Sequence, residues 1–497
     1  DLRAMMRAVV TSGTGRAAAA SDREIAGKTG TAQIGEGDEA KTVAWFVGFA
    51  DDLAVAVVVD GGASGGETAA PLVAEFFANL DDPVFQAVGE VPCVPAGADW
   101  PTFQGDAAHT GCSLAEAIED PELLWTAEVG IQAWLNSPVV AGDTVVVGSA
   151  GTRRAGSDST DGVYALRLTD GSQRWFFATS NDVNGVSVTG DVVVAVGDEG
   201  SVWWIDLESG TELGAVDIGS PVFGYPAITE DLVVVGDSAG VLSALDSTGS
   251  LVWSAQLDGA IRGGPASDGT LIYAVSDLGD VHAYDINGFR IWSQRIEPAN
   301  ADGNVLPIVY GAPTIAGDLL IVTYTVDGGP SGPAVIAYDR FVGQQAWAGS
   351  DPGQVGGEQW ANVRSSVAVA GGRLVIAGSL TSGPQALWSS SGEAAWVGTS
   401  DVICERHWAS PVVMGGLVVV PRPDGAVYGF TAEGDLAWRF AFPAHTGTAR
   451  LTTCSDIGGS IFGAVADLQA TPAIAPNGTL IVAGADQYIY AIVEGGK

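Results

Sequence analysis

One pattern constrains the fold of this chain more than any other. A proline- or valine-led apolar segment is followed by a Gly-Asp turn, a valine-rich run, a Tyr/Leu-Asp segment, a glycine turn and a tryptophan, and the series then begins again. Units open at Pro138, Val186, Pro226, Pro265, Pro313, Val367, Pro411 and Pro472, and close at Trp175, Leu213, Trp253, Trp292, Trp347, Trp396 and Trp438. Self-similarity of this kind is the signature of repeat folds. Runs such as Val145-Val146-Val147 and Val192-Val193-Val194 suit strands, because β-branched side chains pack well on a pleated surface. The last unit reaches Lys497 with no closing tryptophan, whereas Leu123-Leu124-Trp125-Thr126 stands unassigned ahead of the first unit. Ring closure balances the two, with the early strand completing the last unit. The pattern therefore predicts a mainly β chain whose C-terminal part is an eight-bladed β-propeller of four-stranded blades, an architecture that leaves only short sheet edges exposed. The recurrent tryptophans are expected to pack between neighbouring blades.

Composition narrows the partners. With 47% hydrophobic residues and 69 glycines the chain suits a packed, turn-rich globular protein. Its longest apolar runs, such as Leu53 to Val59, fall short of the roughly 20 residues that a membrane helix needs. Net charge is −38 with only three lysines, Lys28, Lys41 and Lys497; residues 1–80 carry 6 basic and 11 acidic side chains, and 81–497 carry 15 and 48. A surface this negative repels nucleic acid and anionic lipid, so neither is an expected partner. Cys93, Cys112, Cys404 and Cys454 form no C-x-x-C pair, which argues against a zinc site. Cys93 and Cys112 flank one segment, and Cys404 and Cys454 follow equivalent strands of consecutive repeats. Two disulfides fit that arrangement and would suit an extracytoplasmic compartment; four buried thiols are the alternative. The four histidines, His109, His282, His407 and His445, fall in different units and are read as structural, so no metal site is expected. Asn477-Gly478-Thr479 is read as a hairpin turn rather than as a glycosylation site.

Residues 1–80 follow a different plan. Leu2 to Val10 is expected to be a helix ending at Thr11-Ser12-Gly13-Thr14-Gly15. Strands are expected at Glu24 to Ile34, Thr42 to Phe49 and Leu53 to Val59, then a glycine loop over Gly61 to Gly66 and a closing helix from Glu67 to Leu80. The first strand carries Lys28-Thr29-Gly30-Thr31. Around that motif stand Val9 to Gly15, Ala44-Trp45-Phe46-Val47-Gly48-Phe49, Ala54 to Val59 and Ala69-Ala70-Pro71. Together they resemble the C-terminal part of a class B penicillin-binding transpeptidase, a β-lactamase-like α/β domain. Ala50-Asp51-Asp52 departs from that family, in which a proline follows the alanine.

The resemblance implies a role for each motif residue. Lys28 would support the proton network of a Ser-x-Asn motif, and Thr29 would hydrogen-bond the terminal carboxylate of a D-Ala-D-Ala stem peptide or a β-lactam. Gly30 would leave space for that ligand, and the Thr31 N–H would form half of an oxyanion hole. The family's Ser-x-x-Lys and Ser-x-Asn motifs are expected upstream of Asp1. The segment is accordingly read as an incomplete transpeptidase, inactive alone, because no acyl-enzyme forms without nucleophile and base. Any membrane anchor would lie in the same upstream part.

Residues 81–99, with Pro83, Pro92, Pro95 and Gly97, are expected to be a linker, giving domains at 1–80 and 100–497. The stretch Trp100-Pro101-Thr102-Phe103-Gln104-Gly105-Asp106-Ala107-Ala108-His109-Thr110-Gly111 resembles the opening segment of pyrroloquinoline-quinone-like β-propellers. The resemblance covers the repeat but not a cofactor site: quinone-dependent dehydrogenases of this fold carry vicinal cysteines, and no two cysteines are adjacent here. No cofactor is therefore expected. What it implies is a non-catalytic propeller like those of envelope-assembly lipoproteins, binding protein or glycan outside the cytoplasmic membrane. The expected contact points are the loops at 151–161, 298–307, 349–360 and 446–463, with Trp134, Trp360 and Trp408. The expected function is a peptidoglycan D,D-transpeptidase fragment fused to a binding propeller in the cell envelope. A propeller scaffold with an inert transpeptidase remnant is the alternative, and a quinoprotein dehydrogenase stands behind both.

Overall fold

A computed structural model of the chain describes residues 2–19, 24–34, 41–50, 53–60, 63–79, 93–132, 136–152, 157–229, 231–297, 307–325, 333–350, 363–376, 384–398, 409–422, 425–442, 468 and 470–496. The chain is mainly β and divides into two compact units, residues 1–89 and 90–497.

The first unit contains α1 (Leu2–Thr11), β1 (Ala26–Ile34), β2 (Lys41–Ala50), β3 (Leu53–Asp60) and α2 (Ala70–Asn79). The strands make one antiparallel sheet in the order β1-β2-β3, so β1 is an edge strand of it. Phe46 of β2 is fully buried among Val10, Ile25, Ala69 and Val73, which ties both helices to the sheet. The closing helix begins later than the sequence suggests. The Ser64 hydroxyl accepts the Glu67 N–H, and Gly65–Ala69 winds as one wide π-turn before α2 starts.

The second unit holds, among the described residues, seven four-stranded sheets and one five-stranded sheet. In chain order they are sheet I (139–178), II (183–217), III (227–256), IV (266–295), V (314–350), VI (368–397), VII (412–441) and VIII (473–494). Each runs antiparallel in sequence order from its first strand outwards. Sheet VIII receives its fourth strand from the start of the unit: β5 (Pro121–Glu128) pairs antiparallel with Tyr488–Glu494, placing Trp125 opposite Ala491. The seam is where the unmatched strand in the sequence placed it. The fifth strand of sheet VII is β4 (Cys112–Ser113), which lies parallel to the innermost strand through Cys112 and Val413.

The recurrent tryptophans join neighbouring sheets. Trp175 of sheet I donates its indole N–H to the Leu207 carbonyl of sheet II at 2.9 Å. Trp253 reaches Ile286 (2.9 Å), Trp292 reaches Arg340 (2.8 Å) and Trp347 reaches Ser389 (2.7 Å), each a turn carbonyl of the next sheet. The indole lies flat on the glycine of that turn. Gly343 has φ of +73°, and a Cβ there would sit 2.6 Å from the Trp292 ring. Only glycine meets both demands, which explains why glycine and tryptophan recur together in the sequence. At the seam sheet VIII has no such turn, because its third and fourth strands come from opposite ends of the unit. The Ile118 carbonyl takes its place and accepts from Trp438 at 2.7 Å.

Residues 93–99, which composition assigns to a linker, are tied into the second unit. Val94 bridges Ser113, and a disulfide joins Cys93 to Cys112. Cys404, Cys454, His407, His445, Trp134, Trp360 and Trp408 lie outside the described residues, as do most of the loops at 298–307, 349–360 and 446–463.

Candidate functional site

The Lys28 to Thr31 motif occupies the middle of β1, opposite Val47, Phe46, Trp45 and Ala44 of β2. Strand alternation sends Lys28 and Gly30 to one face and Thr29 and Thr31 to the other. On the first face the Trp45 ring fills the space beside the strand. The Lys28 ammonium lies 5.8 Å from its centre, and a Cβ at Gly30 would come within 1.9 Å of the indole. Packing alone therefore demands glycine at position 30. On the second face Thr29 is buried, its hydroxyl 2.6 Å from that of Thr14. The Thr31 hydroxyl accepts the Gly65 N–H at 3.2 Å, and Lys28 Nζ donates to the Thr29 carbonyl.

These four residues line a cleft of about 550 Å³ together with Thr14, Arg16, Ser64 and Glu67. Two cations and one carboxylate face it, in a chain of net charge −38. Such a cleft can hold an anionic group against a fixed hydroxyl. Sequence reasoning assigned the motif but not its walls. Thr14 belongs to a stretch read as a helix terminus, Ser64 to a loop read as a turn and Glu67 to the start of the expected closing helix, whereas Arg16 has no expected role.

In the second unit the Trp100 to Gly111 stretch forms a plug on the axis of the sheets. Trp100 exchanges two backbone hydrogen bonds with Val140 of sheet I at 2.8 Å. The carbonyls of Pro101, Ala107, Ala108, Thr110 and Gly111 accept from Val188, Ser267, Ile315, Val369 and Val413, the innermost strands of sheets II, IV, V, VI and VII. Phe103 stacks on Tyr225, just ahead of sheet III, with ring centres 4.1 Å apart. The Gln104 amide donates to the Val367 and Pro411 carbonyls at 2.9 and 3.3 Å. The His109 Nδ1–H donates to the Pro313 carbonyl at 3.0 Å, and burial holds this imidazole down to about 4. Burial pushes the Asp106 carboxyl up, opposed by the Thr110 hydroxyl and N–H that donate to it. The Cys93–Cys112 disulfide clasps the two ends of this plug.

Ahead of the inner strands of sheets IV, V and VI, Arg262 and Arg364 approach Tyr310, their guanidinium carbons 5.8 and 5.0 Å from its ring centre. Arg262 also donates to Asp277 at 2.9 Å. The vicinal thiols of a quinone site are missing from the sequence. Among the described residues no His, Cys, Asp and Glu side chains come together in the set of three or more that a cation requires. The described residues do not fit a quinone and its metal.

Sheets arranged about a plugged axis, closed by a strand from the start of the unit, define a β-propeller of the pyrroloquinoline-quinone-like repeat class. The chain belongs to the family described as outer membrane protein assembly factor BamB, which matches residues 199–378 and 279–496. Residues 1–78 match the penicillin binding protein transpeptidase domain. Among solved structures, BamB from Moraxella catarrhalis is 18% identical with a TM-score of 0.55, covering 75% of this chain and 99% of that one. The quinohemoprotein alcohol dehydrogenase from Comamonas testosteroni is 14% identical with a TM-score of 0.59, covering 84% of this chain and 83% of that one. A europium-containing methanol dehydrogenase is 16% identical with a TM-score of 0.56, covering 83% and 100%. At these identities the likeness is one of fold. No curated protein sequence matches the chain.

Proposed function

We propose that this chain is the C-terminal part of a peptidoglycan D,D-transpeptidase joined to a non-catalytic, eight-bladed propeller that binds protein or glycan in the cell envelope. Sheets I to VIII are its blades, closed by β5. The observation that carries the transpeptidase reading is the Thr14–Thr29 hydroxyl pair in a cationic cleft beside an edge strand. Bonding to Thr14 fixes the Thr29 rotamer, so that its hydroxyl meets the terminal carboxylate of a stem peptide or β-lactam without reorganising. An extended stem peptide adds to β1 as a further strand, held by main-chain hydrogen bonds. Lys28 supplies positive charge to the proton network, and the Thr31 N–H half of the oxyanion hole. The nucleophilic serine belongs to a Ser-x-x-Lys motif outside this sequence, so the chain by itself forms no acyl-enzyme. The Cys93–Cys112 disulfide supports an extracytoplasmic location.

The test is fluorescent-penicillin labelling of the native gene product, captured from cells with an antibody against the propeller. A labelled band larger than 50.5 kDa is expected. A captured, unlabelled band near 50.5 kDa overturns the transpeptidase reading. It would leave a propeller scaffold with an inert remnant, a reading favoured by the propeller's closure on its own strands.

A further inference from the structure

The outer rim of the propeller is not uniform. In sheets I and VI the turn before the fourth strand is polar, with Asp170 and Ser172 in one and Ser391 and Glu393 in the other. In sheets III, IV and V the turn or the start of the fourth strand carries Leu251, Val252, Phe289, Ile291, Phe341 and Val342, all exposed, with Phe289 at 69% and Val342 at 64%. Sheets II and VII each expose a single leucine there, Leu213 and Leu436. The three segments adjoin one another. Trp253, next to Val252, bonds the Ile286 carbonyl in the turn that holds Phe289, and Trp292, next to Ile291, bonds the Arg340 carbonyl beside Phe341. Exposed apolar side chains in one continuous crescent mark an interaction surface, whereas scattered ones do not.

Charge selects the occupant. Asp246, Asp285 and Asp339 open the three turns. Of the cations there, Arg290 stands exposed between Phe289 and Ile291, whereas Arg295 is held by Asp258 and Asp280 and Arg340 by Asp268, so the aspartates outnumber the free positive charge. A second copy of this chain would bring another net charge of −38 against the same surface, and an anionic membrane would be repelled in the same way. We infer that the rim of sheets III to V docks a basic segment with an apolar face, supplied by another protein. Aromatic and aliphatic anchors such as Phe289 and Phe341 supply the buried contact, and the aspartates steer and orient the partner's lysines or arginines. The inference rests on reading the propeller as a binding module. It is independent of penicillin labelling, which tests the first unit.

The probe is a synthetic leucine–lysine peptide with all leucines on one helical face, and its control is the same composition scrambled so that no apolar face forms. Binding to the full chain is followed by fluorescence anisotropy. The patterned peptide should bind at least about tenfold more tightly than the scrambled one. Substituting Phe289→Ser, Phe341→Ser and Val342→Ser together should weaken it at least about tenfold, the fold-change that about 1.4 kcal/mol of lost apolar burial gives. Leu436→Ser, an exposed position in sheet VII, should leave it unchanged. Equal binding of the two peptides, or an unaffected triple variant, overturns the proposal by reducing the attraction to net charge. Should the triple variant melt early, hydrogen exchange on the wild type decides. Protection by the patterned peptide confined to residues 286–291 and 339–343 supports the surface, and protection elsewhere overturns it. A dimer that the triple variant dissolves in sedimentation would overturn the choice of occupant.

Discussion

Protonation of His109 should weaken the propeller within a defined pH window. In an unfolded chain an imidazole titrates near about 6.5, and in the fold burial holds this one down to about 4. Between those values the unfolded chain binds a proton that the fold excludes, so stability falls as pH falls through the window. One pKa unit corresponds to about 1.4 kcal/mol, which makes the loss about 2 kcal/mol at pH 5 and about 3 kcal/mol below pH 4. Asp106 acts in the opposite sense. Burial raises its carboxyl, and a raised acid gains relative stability as pH falls through its folded value. A variant that keeps Asp106 therefore isolates the histidine. His109→Asn meets this need, because asparagine tolerates the φ of +58° at this position and its amide can donate to the Pro313 carbonyl. The variant pays at neutral pH for the lost ring contact with Phe103, whose centre lies 5.1 Å from the imidazole. Urea unfolding followed by tryptophan fluorescence should show the wild type losing about 2 kcal/mol relative to the variant between about pH 7 and about pH 5. A gap constant to within about 0.5 kcal/mol across that range would refute the reasoning.

Three further outcomes are expected. Gly30→Ala drives a methyl group to 1.9 Å from the Trp45 indole, and should destabilise the first unit by about 1–3 kcal/mol, seen as an earlier transition in calorimetry. Replacing both Cys93 and Cys112 by serine frees a loop whose ends are 19 residues apart; it should cost about 3 kcal/mol and bring the melting temperature to that of the reduced wild type. Trp438→Phe removes the donor to the Ile118 carbonyl at the seam, and Trp292→Phe removes the equivalent donor to Arg340. Each should cost about 1–3 kcal/mol in urea titrations, and a clearly smaller loss at Trp438 would show that the seam is not an equivalent joint.

Much of this protein is written in short-range order. Strand alternation, turn glycines and the closing tryptophans recur within each unit, so sheets I to VIII and the strand that closes the last of them are legible from the sequence alone. The Lys28-Thr29-Gly30-Thr31 motif and the elements around it are legible for the same reason, since each lies within a few residues of the turn or helix end that defines it. The count of unmatched strands even located the seam, because a closed ring must balance.

Other features depend on residues that meet only after folding. Thr14 and Thr29 are 15 positions apart, and nothing local in either marks them as a pair. Gln104 bonds the Pro411 carbonyl across 307 residues, and His109 bonds that of Pro313 across 204. In the sequence the plug is a polar, glycine-rich stretch beside a proline-rich one, so composition alone joins residues 93–99 to a linker. Its position on the axis is fixed by carbonyls that fit inner strands of several sheets at once. The apolar rim is equally invisible along the chain, because Leu251, Phe289 and Phe341 look like ordinary strand residues until three turns are stacked side by side. Local periodicity determines which elements form; long-range hydrogen bonding and the closure of the ring decide which of their side chains meet, and which are left facing water.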